Sequence, residues 1–162
     1  MTSKTKKFLK IGAILLITGL LAGGGAIYYM FNMPHRNIQK TDADYTLTTT
    51  QIVNEYITDK TAANEKYLAA DGDSKVLAIT GTVSKISEDF NGQKVVLLKN
   101  EADKAGVSCS FTAETNKSTE TLKIGQTATI KGVIRSGASY DEDLEMYENV
   151  IIEKSDIQNS KQ

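Results

Sequence analysis

The sequence predicts a mainly β protein: a five-stranded barrel of the OB type, a single α-helix preceding it, and a transmembrane helix at the N-terminus. Three observations predict this. An uncharged apolar run occupies residues 11–34, a helical apolar period follows over residues 48–69, and five period-2 segments flanked by turn signals fill residues 75–154.

The uncharged run, "IGAILLITGLLAGGGAIYYMFNMP", is 24 residues long. As a helix it would be about 36 Å long, enough to cross a hydrocarbon core of about 30 Å with some tilt. Tyr28, Tyr29 and Phe31 fall where a headgroup belt of aromatics belongs. Pro34, the only proline, lacks an N–H and stops the helix. A cleaved signal peptide with a small-residue site near Ala22–Ala26 is the alternative. The apolar run continues past that site through Ile27–Phe31, which an h-region does not need. No cysteine closes the run to carry a lipid. His35, the only histidine, reads as the polar exit from the span, because no second histidine exists to build a site with it.

Charge divides the chain. Residues 1–41 hold six basic residues and no acid, whereas residues 42–162 hold thirteen basic and twenty acidic residues, a net of −7. Four lysines precede the span (Lys4, Lys6, Lys7 and Lys10), while Asp42 and Asp44 follow it closely. The positive-inside rule then sets the N-terminus in the cytoplasm and residues 35–162 on the periplasmic side of the inner membrane. The expected organisation is a basic tail over 1–10, the span over 11–33, a tether over 34–47, the barrel with its helix over 48–157, and a disordered tail over 158–162. Gly19 and Gly23 form a GxxxG spacing within the span, the pattern that lets two helices approach closely in a homodimer.

The helix opens at Thr48 or Thr49, where Thr48 and Gln51 fit a capping box. Ile52, Val53, Tyr56, Ala63 and Tyr67 recur on one face, and "DGDSK" (71–75) ends it. The first strand is "KVLAITGTVSKIS" (75–87), with Leu77, Ile79, Gly81 and Val83 on one side. "FNG" (90–92) is a turn into "QKVVLLK" (93–99). "GVSCSF" (106–111) turns Val107, Cys109 and Phe111 one way and its serines the other. A short helix is expected within 112–125. "QTATIKGVIRS" (126–136) puts Ala128, Ile130, Gly132 and Ile134 in phase. "SGASYDEDLE" reads as an acidic loop and "EMYENVIIEK" (145–154) as the fifth strand. Three strands, a short helix and two strands is the order of a five-stranded OB barrel, and Gly81 and Gly132 inside strands mark its bends.

With "PHR", "AANEKYL", "ITGTVSKI", "VSCSF" and "LKIGQTATIKGVI" in this order over roughly residues 33–154, the chain resembles the tRNA_anti-like family of bacterial, often membrane-anchored, OB-fold proteins. The resemblance implies a fold similar to anticodon-binding domains. It brings no catalytic motif and no set of binding residues.

Chemistry is constrained mainly by what the side chains cannot do. OB barrels grip ligands over the second and third strands and the loops joining strands 1–2 and 4–5. Those loops carry Phe90 beside Glu88 and Asp89, and Tyr140 beside Asp141, Glu142 and Asp143. The candidate ligand-binding residues are therefore Phe90, Tyr140, Glu88, Asp89, Asp141 and Asp143. Their anionic rim opposes a phosphate backbone, which is recognised through clustered Lys and Arg. It favours a protein, peptide or glycan partner over nucleic acid. "DEDLE" lacks the spacing and glycine of an EF-hand, and Lys75 stands where "DGDSK" would need a ligand oxygen, so no metal is expected. Cys109 has an inward phase and no histidine beside it, which suits a small apolar core residue rather than a nucleophile. "AGGGA" (22–26) follows no strand and is no phosphate cradle. The expectation is a non-catalytic binding module without a cofactor, with an OB-fold nucleic-acid binder as the alternative.

Overall fold

A computed structural model describes residues 18–21, 23–25, 27–28, 38–70 and 73–158. The chain divides into two units, residues 1–36 and 37–162. In the first, residues 18–21, 23–25 and 27–28 are helical. The remainder of the expected span, the tether up to residue 37, His35 and the tail beyond residue 158 lie outside the described residues. Among the described residues no helix is long and apolar enough to cross a membrane.

The second unit is a closed barrel. Its elements in chain order are β1 (Tyr45–Thr48), α1 (Thr49–Thr58), α2 (Lys60–Tyr67), β2 (Val76–Glu88), β3 (Lys94–Leu98), β4 (Val107–Phe111), a 3₁₀ turn (Asn116–Thr121), β5 (Thr127–Ser136), β6 (Ser139–Asp141), β7 (Met146–Glu148) and β8 (Val150–Ile157). β2, β3, β4, β8 and β5 pair in that order, and β2–β5 pairing closes the ring. β4 and β8 run parallel and the other ring pairs antiparallel. At thirteen residues, β2 is long enough to serve both neighbours. Its first half pairs with β5 (Ile79 opposite Ile130) and its second with β3 (Ile86 opposite Val96).

The expected inward phase holds: Leu77, Ile79, Val83, Val107, Cys109, Phe111, Ile130 and Ile134 are all buried, as are Ile52, Tyr56 and Tyr67 of the helices. Burial of each such aliphatic side chain contributes about 1.5–3 kcal/mol. The two strand glycines are sites of close approach. A Cβ on Gly132 would lie 2.5 Å from Ile152 Cγ2 and 2.8 Å from Glu153 O, and one on Gly81 would lie 2.0 Å from Thr49 Oγ1. Gly132 thus lets β8 curl onto β5, and Gly81 seats the start of α1 on the barrel.

Four expectations are corrected. The single helix over 48–69 is two, broken at Asp59, whose extended backbone (φ −150°, ψ 91°) ends α1 while its Oδ1 accepts from Ala62 N at 3.0 Å to begin α2. An Asp side chain at an N-cap offers the backbone this alternative to a continued helix. The capping box itself forms, with Thr48 Oγ1 accepting from Gln51 N and Gln51 Oε1 from Thr48 N. Residues 38–48 do not behave as a free tether. Ile38 is buried, Lys131 Nζ donates to Gln39 O and Thr41 O, Asp44 exchanges bonds with Val76, and β1 runs parallel along β2. The acidic loop is a β-hairpin, β6–β7, with Tyr140 opposite Tyr147. The fifth ring strand accordingly starts later than expected, at Val150, and runs to Ile157.

Candidate binding groove

The outer surface of β3 and β4 is set by alternation. Val96 and Leu98 turn inward with Val107, Cys109 and Phe111, leaving Val95, Leu97, Ser108 and Ser110 half-buried on the outside. Register places Val95 opposite Ser110 and Leu97 opposite Ser108, extended by Ser87 and Lys85 of β2 and by Ile151 of β8. β3 makes this strip about 13 Å long at 3.3–3.4 Å per residue.

One end of the strip is the β2–β3 turn. Asp89 Oδ1 accepts from Asn91 N at 2.8 Å and Gln93 N at 2.9 Å, and Asn116 clamps the turn from outside through Lys94 N and Gly92 O. Glu88 is paired with Lys94 at 2.6 Å. Phe90 projects fully into solvent, held there by this bracing. Of the residues expected to bind a ligand, Asp89 therefore shapes the turn, Glu88 is half-neutralised, and Phe90 is left free as an apolar surface.

The other end is the β6–β7 hairpin, joined where β8 begins. Gly106 N donates to Asn149 Oδ1 at 2.7 Å, and Val150 N donates to Gly106 O at 3.0 Å. Tyr140, half-exposed, packs at a tilt of 58° against Tyr147 with ring centroids 4.9 Å apart, and Lys104 Nζ stands 5.4 Å from the Tyr147 ring. Asp141 Oδ1 accepts from Asp143 N and Leu144 N, both at 2.9 Å, so it also shapes a turn. Asp143 is exposed. Phe90 and Tyr140 thus belong to opposite ends of the strip and are not brought together.

Tyr147 and Lys104 were not among the expected site residues. The alternation of "EMYEN" contains the signal for Tyr147, but only after the hairpin is recognised. Lys104 comes from a distant loop with no local signal.

The hairpin is rooted on α1. Gly137 lies against the Tyr56 ring, so close that a Cβ there would sit 1.8–2.3 Å from three ring carbons. Tyr56 is 2% exposed and its hydroxyl has no hydrogen-bond partner. Burial, with smaller contributions from Tyr67 and Glu55, pushes this phenol up to about 12. Below it, Glu55 Oε2 accepts from Lys66 Nζ and Tyr67 Oη, both at 2.8 Å. Burial raises the Glu55 carboxyl, but those two hydrogen bonds outweigh it and hold the group below its ordinary value.

A second concavity, an open groove of about 520 Å³, lies between α1 and α2 and is lined by Gln51, Asn54, Glu55, Thr58, Asp59, Ala62, Ala63 and Lys66. Several of its polar groups are already engaged: Gln51 and Asp59 cap helices, and Glu55 and Lys66 pair with each other. The β3–β4 strip retains the freer side chains.

Among the described residues no cluster of three or more His, Cys, Asp or Glu could hold a metal ion. Cys109 is buried in β4, and burial pushes its thiol up. That removes the thiolate a nucleophile requires.

No curated protein matches the sequence. Among solved structures, the chain is similar to a protein of Klebsiella pneumoniae subsp. pneumoniae MGH 78578 described as a "putative nucleic acid-binding lipoprotein". The two share 14% identity at a TM-score of 0.52, over 78% of this chain and all of that one, a likeness of fold. The family model called tRNA_anti-like matches residues 1–143 of the 162, and the chain belongs to the tRNA_anti-like family.

Proposed function

We propose that this protein is a non-catalytic binding module of the bacterial cell envelope, anchored by one transmembrane helix over residues 11–33. Its barrel stands on the periplasmic side and takes a protein, peptide or glycan ligand across the β3–β4 strip. The observation that carries the reading is the pair of strip ends, each presenting one exposed aromatic, Phe90 or Tyr140, among carboxylates, in a segment of net charge −7. Such a rim attracts cationic partners, tolerates neutral ones and repels phosphate chains. The anchor rests on the uncharged run and the lysines before it, and the orientation follows from their asymmetry. Gly19 and Gly23 give the anchor a GxxxG spacing, the pattern that lets two helices approach closely in a homodimer.

Crosslinking in intact cells followed by capture of the full chain tests this reading. A specific envelope partner should be recovered with the wild type and lost with Phe90→Ser/Tyr140→Ser. Equal recovery from both would contradict it. Protease added to spheroplasts should remove the barrel, and a protected barrel would contradict the topology.

A second reading, nucleic-acid binding, draws on the description of the Klebsiella protein and on the outward position of Lys85 on the strip. Salt-sensitive retention of oligonucleotides is its test.

A further inference from the structure

We propose that the outer face of the β6–β7 hairpin docks a short cationic, amphipathic polypeptide segment, one in which Lys or Arg alternates with large apolar residues. This rests on the binding-module reading above and names its partner class and contact element.

Among the described residues, the large apolar side chains exposed on the barrel unit are few: Phe90, Ile124, Tyr140, Leu144, Met146 and Ile151. Three of these six, Tyr140, Leu144 and Met146, fall within seven residues of the hairpin, and Leu144 and Met146 lie apart from the Tyr140 face. Pairing of Tyr140 with Tyr147 puts both rings on one face, where Lys104 covers Tyr147. Alternation then turns Met146 to the other face together with Asp141 and Glu148. Leu144 stands at the turn, 67% exposed, and Met146 is 54% exposed.

These side chains are held out in solvent by a braced backbone. Asp141 fixes the turn through Asp143 N and Leu144 N, Glu145 adopts a left-handed conformation (φ 52°), and Ser139 Oγ bonds Glu148 Oε2. A preorganised apolar surface loses little entropy on docking.

Charge selects the occupant. Residues 139–148 contain five acids and no base, and Glu142, Asp143 and Glu145 are exposed around Leu144 and Met146. A phosphate chain or an anionic lipid surface would meet repulsion here, whereas Lys or Arg side chains would gain attraction without losing the apolar contact. Strands of three residues span only about 7–10 Å. That suits a short segment rather than the roughly 800 Å² per side of a standard folded interface.

The test uses the full chain in nanodiscs of neutral phosphatidylcholine, read by surface plasmon resonance against empty discs. The probes are a peptide of alternating Lys and Leu, its Glu/Leu counterpart, and oligo-dT. The Lys/Leu peptide should bind and the Glu/Leu peptide should not. Leu144→Ser/Met146→Ser should weaken binding about tenfold or more, the loss of more than 1 kcal/mol that marks interface anchors. Glu142→Gln/Asp143→Asn/Glu145→Gln should weaken it and flatten its salt dependence, and Ile124→Ser, an exposed apolar position outside the strip and the hairpin, should leave it unchanged. These positions are solvent-exposed, and unchanged circular dichroism would confirm that the variants fold. Absence of Lys/Leu binding, equal binding of both peptides, or indifference to the Leu144/Met146 change overturns the inference. If Phe90→Ser alone abolishes capture, the groove reading stands and the hairpin assignment fails. Salt-sensitive binding of oligo-dT instead overturns the groove reading itself.

Discussion

Replacing Gly137 by alanine adds a single methyl group at the hairpin root, and the surrounding geometry predicts a large cost. The new Cβ would lie 1.8, 2.0 and 2.3 Å from three carbons of the Tyr56 ring. Carbon atoms pack at about 3.5–4.0 Å, so the ring would have to retreat by roughly 1.5–2 Å. It has little space to do so, being 2% exposed and lying 6.1 Å from the Tyr67 ring. Overpacking of this kind costs about 1–3 kcal/mol, and the depth of the overlap points to the upper end, about 3 kcal/mol. In a domain of this size the loss lowers Tm by about 10 °C. Urea unfolding followed by circular dichroism should show a lower midpoint with an unchanged slope. Shortening the ring relieves the clash, so in a Tyr56→Leu background the same substitution should cost less than about 1 kcal/mol, a coupling expected only between residues in contact. A Gly137→Ala protein within about 0.5 kcal/mol of wild type, or an equal cost in both backgrounds, would refute the packing of the hairpin on α1.

Other perturbations probe neighbouring features. Tyr56→Phe removes a buried hydroxyl without a partner, so it should stabilise the fold at pH 7 by about 1 kcal/mol, measured by urea unfolding, where a hydrogen-bonded tyrosine would lose stability. With the folded pKa raised to about 12 against about 10 unfolded, this phenol's contribution is complete below pH 10 and disappears between pH 10 and 12. Alkaline titration of Tyr56→Phe should therefore show a smaller loss, with Tyr67, also raised by burial, retaining its share. The lowered Glu55 carboxyl works in the opposite sense: its contribution is present above about pH 4.3 and is lost as pH falls through its folded value. Glu55→Gln should reduce that acid-side loss, with only a small change at pH 7 because the ion pair is partly exposed. Cys109 should fail to react with Ellman's reagent in the native protein and react fully in urea, since its thiol is buried and raised.

The barrel was legible because its signal is strictly local and repeated. Leu77, Ile79 and Val83, or Val107, Cys109 and Phe111, alternate against polar neighbours, and alternation alone assigns the buried face. Thr48 and Gln51 announced the helix start through a capping box that forms as written. Asp59 was harder to read. Its neighbours Thr58 and Lys60 fit a helix interior, and only the bond from Ala62 N to its side chain distinguishes an N-cap from one more exposed polar residue. Docking of residues 38–48 depends on Lys131, some ninety residues away, and on Asp44 meeting Val76, partners that no window along the chain contains. The site shows the same division. Carboxylates near Phe90 and Tyr140 could be counted from the sequence, but Asp89 and Asp141 spend their acceptors on their own turns, and Glu88 is taken by Lys94. Composition reports how many acids surround an aromatic; backbone geometry decides which remain free for a partner.

Repulsion of phosphate chains by the anionic barrel is tested most directly by oligonucleotide binding. Fluorescence anisotropy of labelled oligo-dT and oligo-rU, titrated with the fragment of residues 42–162 from about 0.05 to 0.2 M salt, measures it. With a net charge of −7 over residues 42–162 and carboxylates at both ends of the strip, no binding should appear across that range. Tight binding that weakens steeply with salt would contradict the account.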